Sequence, residues 1–312
     1  MAVAYFMFRA ARAIRDIGSA ELYESYQVVR DLYSDVSTWT GLTVSELLDE
    51  DVPEKAEILH SVLAIRSLAN HLSLADVLSE EGVKPSALVG FSLGLISASC
   101  VSGALRRQDA FEMLWERRHL VDEPASGTGQ AVAMCRIGPD DNPDRLCDES
   151  WPGVYPAAYF GVTPDGDSQY LLLGGYKDAL DRLAASEPDA VLKVLPDTRA
   201  AHTPLRQHEC DFTRSYLADV SFADPAIPVI ACQDPGALRT ALDVRAAIWQ
   251  NHVRPVKASY AMAELAARGI ELCIALGPTQ VEGLMRFPCP VIRIEKPADV
   301  GSVLAKMADL GI

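Results

Sequence analysis

The run Ser86-Ala87-Leu88-Val89-Gly90-Phe91-Ser92-Leu93-Gly94-Leu95-Ile96-Ser97-Ala98 sets G-x-S-x-G between an apolar strand pattern and small or apolar residues at helical spacing. That arrangement is a nucleophile elbow, a serine on a tight strand-to-helix turn with glycine two residues to either side. The glycines are needed because the backbone is strained and the helix packs close to the strand. The turn lifts the Ser92 hydroxyl into the open near a helix N-terminus, where the N–H of Leu93 and its neighbours can stabilise an oxyanion. An ordinary βα turn that happens to carry a serine is the alternative that the pentapeptide leaves standing.

The rest of the chain alternates strand and helix patterns, as a parallel sheet covered by helices does. Glu57 to Leu78 reads as a long helix, followed by the Ala87-Leu88-Val89 strand, the elbow helix to about Gly103, and a helix over Arg107 to Val121. From Pro124 the texture becomes β-rich, with strands at Gly127 to Val132, Tyr155 to Phe160, Tyr170 to Leu173 and Val191 to Leu195, and a short helix at Lys177 to Ser186. Helices then return at Arg206 to Leu217, Val244 to Asn251 and Ala258 to Arg268, with strands at Val229 to Ala231 and Glu271 to Leu276. At 312 residues the chain can bury a sizeable core, and 49% apolar with 23% charged residues is ordinary for a soluble globular protein. No stretch reaches the ~18 apolar residues of a membrane span and Met1 to Gly18 carries no signal-peptide core, so a cytoplasmic location is expected. Seven cysteines without C-x-x-C spacing read as reduced thiols and give no zinc or other metal site. A net charge of −15 argues against nucleic acid as the main partner.

Five segments, in order, resemble the malonyl-CoA:acyl carrier protein transacylases and the acyltransferase domains of polyketide synthases. They are Gly90-Phe91-Ser92-Leu93-Gly94, Ala104-Leu105 followed by Arg117, Ala200-Ala201-His202-Thr203-Pro204-Leu205, Gln250 to Val256, and Gly277-Pro278. The resemblance implies a large α/β-hydrolase-like parallel-sheet domain, 1–126 and 197–312, with an inserted small ferredoxin-like α+β subdomain, 127–196. It implies ping-pong acyl transfer between thioesters, with Ser92 as nucleophile and His202 as the base that takes its proton and returns it to the leaving thiol. It further implies that a main-chain carbonyl near Gln250 or Asn251 orients the histidine, and that Arg117 grips the free carboxylate of a malonyl-type acyl group. Periodicity leaves open which of Arg117 and Arg118 points inward. No bound cofactor is called for, since the phosphopantetheine thioester of CoA or of an acyl carrier protein is the substrate. The family is commonly monomeric. His60, His71, His119, His208 and His252 lie in helical or loop patterns without a setting like that of His202.

The departures from the family pattern bear on specificity. Where the family has F-P-G-Q-G, whose glutamine backbone completes the oxyanion hole, this chain reads Phe8-Arg9-Ala10-Ala11-Arg12, which puts Ala11 at the donor position without the glycine-rich turn. Phe91 and Leu95 replace a histidine and a glutamate, and Phe160 stands where asparagine is common; each makes the expected acyl pocket more apolar. Ala201 removes bulk beside His202 and would admit a larger or branched chain. These features suggest a specialised acyltransferase of secondary metabolism, of the discrete, trans-acting kind found in polyketide and antibiotic biosynthesis. An acyl-carrier-protein thioester hydrolase of the same fold is the second reading and a non-catalytic docking protein the third. An α/β-hydrolase would want a late histidine and an H-G-G-G-type segment, neither of which is evident. Acyl carrier proteins are acidic, so docking on this acidic chain needs a basic patch, for which Arg9, Arg12 and Arg15 at the N-terminus and Arg199 and Arg206 flanking His202 are the candidates.

Overall fold

The structure, a computed structural model, describes residues 2–8, 19–48, 56–120, 129–196, 199–279 and 283–312. The strands are β1 (Val3–Phe8), β2 (Ala87–Phe91), β3 (Gln130–Ile137), β4 (Val154–Val162), β5 (Gln169–Tyr176), β6 (Val191–Pro196), β7 (Val229–Ile230), β8 (Val256–Lys257), β9 (Leu272–Leu276) and β10 (Val291–Ile294). The helices before the β-rich stretch are α1 (Ser19–Ser25), α2 (Gln27–Thr40), α3 (Val44–Leu48), α4 (Ala56–Glu80), α5 (Gly94–Val101) and α6 (Arg107–Glu116). Those that follow are α7 (Lys177–Ser186), α8 (Gln207–Tyr216), α9 (Ala241–Gln250), α10 (Ala258–Ala267) and α11 (Pro297–Leu310).

The larger sheet runs β10-β9-β1-β2-β7 with every neighbouring pair parallel. Its inner strands β9, β1 and β2 are continuous, fully buried runs because both faces are covered, as parallel sheets require. Val3, Tyr5, Met7 and Leu88 go to a core shared with α2, α4, α5 and α6. Ala4, Phe6, Phe8, Val89 and Phe91 go to a second core on the opposite face, shared with α10 and with β4 of the other sheet. The period of two along β1 thus divides one strand between two cores.

The second sheet has the order β6-β3-β5-β4-β8. Its β3-to-β6 part is antiparallel in β3/β5, β3/β6 and β4/β5. That strand order with α7 between β5 and β6 is ferredoxin-like, and Leu171, Leu173, Leu180 and Leu183 fill its core. The first crossover, between β3 and β4, carries only the 3-10 turn Pro143–Leu146. The fifth strand, β8, comes from beyond residue 250 and pairs parallel to β4 through Ala158↔Val256 and Tyr159↔Lys257. This sheet also abuts the loop after β6: a Cβ on Gly174 would lie 2.8 Å from the Thr203 methyl and 3.0 Å from the Ala200 Cβ.

Candidate active site

β2 pairs with β1 up to Phe8↔Phe91, and the chain then turns through Ser92 into α5. Ser92 sits at φ +58°, in the left-handed region that few side chains adopt. The flanking glycines are sterically required. A Cβ on Gly94 would lie 1.8 Å from the Met7 carbonyl oxygen, and one on Gly90 would lie 2.4 Å from the Leu95 Cα. The elbow therefore fits only because α5 rides directly on β1 and β2. The Leu93 N–H follows Ser92 at the head of α5, and it makes no hydrogen bond among the described residues.

His202 reaches this turn from the loop between β6 and α8, itself at φ +63°. Its Nε2 is 2.8 Å from the Ser92 Oγ, and its Nδ1 is 2.6 Å from the main-chain oxygen of Asn251. A carbonyl oxygen only accepts, so Nδ1 carries the proton and Nε2 is left to accept from the serine. Of Gln250 and Asn251, Asn251 is the orienting residue; the Gln250 side chain instead accepts from Arg254 at 3.0 Å. Asn251 does more than its carbonyl. Its Nδ2 donates to the Ser92 main-chain oxygen at 3.1 Å, and its Oδ1 accepts from Gln233 Nε2 at 2.6 Å. One residue thus fixes both members of the dyad. Burial pushes the His202 imidazole down to about 4; the Asn251 carbonyl and, at longer range, Glu209 partly offset this, while His252 adds to it. The ring is neutral at ordinary pH, the form that can take a proton.

Next to the dyad lies a cluster centred on Glu209, in the first turn of α8 and 3% exposed. Arg117 Nη2 donates to its Oε2 at 2.5 Å, Arg206 Nε to its Oε1 at 2.5 Å, and Arg199 also donates to Oε1. His252 Nδ1 stands 3.3 Å from Oε2, and its Nε2 is 2.9 Å from the Thr213 hydroxyl. Burial alone would raise the Glu209 carboxyl, but Arg117, the His252 hydrogen bond and Arg199 hold it well below the usual carboxylate range. Of the two adjacent arginines, Arg117 is the one turned inward, at the 3-10 turn that ends α6, while Arg118 stacks on Trp115 with 4.3 Å to the ring centroid.

On the opposite side of the elbow Phe91 stacks on Phe160 with centroids 5.7 Å apart and meets Phe8 edge-on at 4.9 Å. All three are buried. Several expectations need correction. Arg206 is 2% exposed and bound to Glu209, and Arg199 is likewise turned onto Glu209, so neither builds a basic docking patch. Arg117 does not present an unpaired guanidinium. Ala201 is exposed and forms no buried wall. Ala11, Arg9, Arg12 and Arg15 lie outside the described residues. Sequence reasoning did not single out Glu209 or Gln233, and it set His252 aside. The Arg206-to-Glu209 spacing of a helix-turn pair was visible, but its link to Arg117 joins elements far apart in the chain.

Residues 19–278 match the acyl transferase domain family. The chain belongs to that family. Among curated relatives, the malonyl CoA-acyl carrier protein transacylase of Salmonella typhimurium is 26% identical over 268 residues, covering 84% of each chain. Among solved structures, the malonyl-CoA:acyl carrier protein transacylase of Xanthomonas oryzae pv. oryzae superposes with TM-score 0.84 at 23% identity, covering 98% of this chain and 99% of that one. A malonyl-transacylase solved in complex with its type II polyketide synthase acyl carrier protein gives TM-score 0.80 at 22% identity, covering 98% and 99%. The fold of these proteins is the one found here, a parallel-sheet α/β domain with a ferredoxin-like subdomain. The chemistry of this acyl transferase family consumes a phosphopantetheine thioester as substrate and requires no bound cofactor. No helix among the described residues is long and apolar enough to cross a membrane.

Proposed function

We propose that this acyl transferase carries an acyl group from a CoA or carrier-protein thioester to the phosphopantetheine thiol of an acyl carrier protein, through an ester on Ser92. The observation that carries the reading is the unbroken chain from Ser92 Oγ to His202 Nε2 and from His202 Nδ1 to the Asn251 carbonyl. In the first half-reaction the Ser92 oxygen attacks the thioester carbonyl while its proton passes to His202 Nε2. The C–S bond then breaks and the same proton leaves with the thiol sulfur. The second half-reaction runs the steps in reverse with the acceptor thiol as nucleophile. The Leu93 N–H, at the head of α5, is the donor placed to stabilise the oxyanion. The buried aromatic residues at the elbow support a specialised donor, in keeping with a role in secondary metabolism. The test is intact-protein mass after incubating wild type and Ser92→Ala with a panel of acyl thioesters, followed by addition of an acyl carrier protein. The expected result is an adduct on wild type alone that is discharged onto the carrier. Discharge to free acid in the carrier's presence would instead establish a hydrolase.

A further inference from the structure

Building on the reading of Ser92 as acyl acceptor, we propose that Glu209 decides the class of substrate: it is a built-in carboxylate occupying the guanidinium groups beside the dyad, so that the acyl group transferred carries no carboxylate of its own. Arg117, Arg199 and Arg206 each place a nitrogen on Glu209, and both carboxylate oxygens are engaged, Oε1 by Arg199 and Arg206 and Oε2 by Arg117 and His252. The cluster abuts the dyad on two sides. His252 follows Asn251 in the chain, and Gln130 Oε1 joins Arg206 Nη1 at 3.1 Å to the Ala200 N–H at 3.2 Å, two residues before His202.

A carboxylate fixed on α8 loses no translational freedom when it pairs, whereas one arriving on a substrate does. To take the Arg117 Nη2 from Glu209 the substrate would have to displace Oε2 of a carboxylate that is 3% exposed, leaving that oxygen with His252 alone. Across the elbow Phe91, Phe8 and Phe160 pack together and are buried, so an acyl carboxylate extending among them would be stripped of water and meet only rings. A neutral acyl chain faces neither cost and gains apolar burial against the same rings. The resemblance assigned Arg117 to the substrate's carboxylate; in this chain Glu209 stands in that role.

The experiment is a competition. Equimolar malonyl-, acetyl- and butyryl-pantetheine, which carry the part common to CoA and carrier donors, are offered to the full chain, and Ser92 adducts are counted by mass. Neutral adducts should exceed the malonyl adduct by about tenfold or more. In Glu209→Gln, which keeps the side-chain shape and removes the charge, the ratio should move toward malonyl by a similar factor. A malonyl adduct equal to or above the neutral ones on wild type overturns the proposal, whether or not the variant folds. An unchanged ratio in a folded Glu209→Gln removes Glu209 from the role. Absence of every adduct, with Ser92 still labelled by a fluorophosphonate, strikes the acyl-enzyme reading itself and takes this proposal with it.

Discussion

Three non-glycine residues, Ser92, His202 and Cys232, hold positive φ among the described residues, and two of them are the dyad. Such conformations cost roughly 1–3 kcal/mol each and persist where the surroundings over-determine them. Here Asn251 does so from a single position, by gripping the imidazole and the serine backbone together. The buried imidazole also makes a pH prediction. Since His202 titrates near 4 and not at 6.5, Ser92 acylation should stay level as pH falls through 6.5 and decline only on approaching 4. Adduct formation after short pH jumps checks this, and a limb at 6.5 would contradict it. The sign for stability follows from the same shift. Between 6.5 and about 4 the unfolded chain binds a proton at His202 that the native state refuses, so this group's share of stability diminishes as pH falls across that window.

The contact between α5 and β1 is the tightest demand in the fold. Gly94→Ala would drive a methyl into the Met7 carbonyl, so the variant is expected to lose at least the ~1–3 kcal/mol typical of overpacking. Adduct formation on Ser92 should fall with it, because the turn cannot keep its place if α5 lifts; urea unfolding and mass together test this. The elbow, α4, β4, β5 and α7 were legible in the sequence because their periodicity and turn residues are local. β1 went unassigned: a six-residue apolar run carries no alternation when both its faces are buried. β7 and β8, two residues each, are strands only by virtue of what they pair with. The dyad was legible for a different reason, the order of its motifs. Glu209 was not, because its meaning lies in three arginines drawn from the end of α6, the loop after β6 and the turn before α8, and no local pattern announces that convergence.

The two sheets meet around the dyad. Ser92 comes from the larger one, His202 from the loop that leaves β6 and packs on Gly174 of β5, and Asn251 from the end of α9, five residues before β8. The β8 pairing makes residues 130–196 dependent on the rest of the chain. Expressed alone, that segment leaves the β4 edge uncovered at Ala158 and Tyr159, and is expected to self-associate or to lack a cooperative transition; light scattering and thermal melts decide. A stable monomer with a sharp melt would show that β8 is dispensable.

The same borrowed strand limits how such a protein can be recombined. The small sheet is continuous in the gene from β3 to β6, yet its border is written some sixty codons later, just past the residue that aims the histidine. A crossover that carries 130–196 into a relative delivers a sheet without its hem and sets the Gly174 face of β5 against another chain's histidine loop. Exchange points outside 130–257 move both together, and the heritable unit of this active site is therefore longer than the subdomain it resembles.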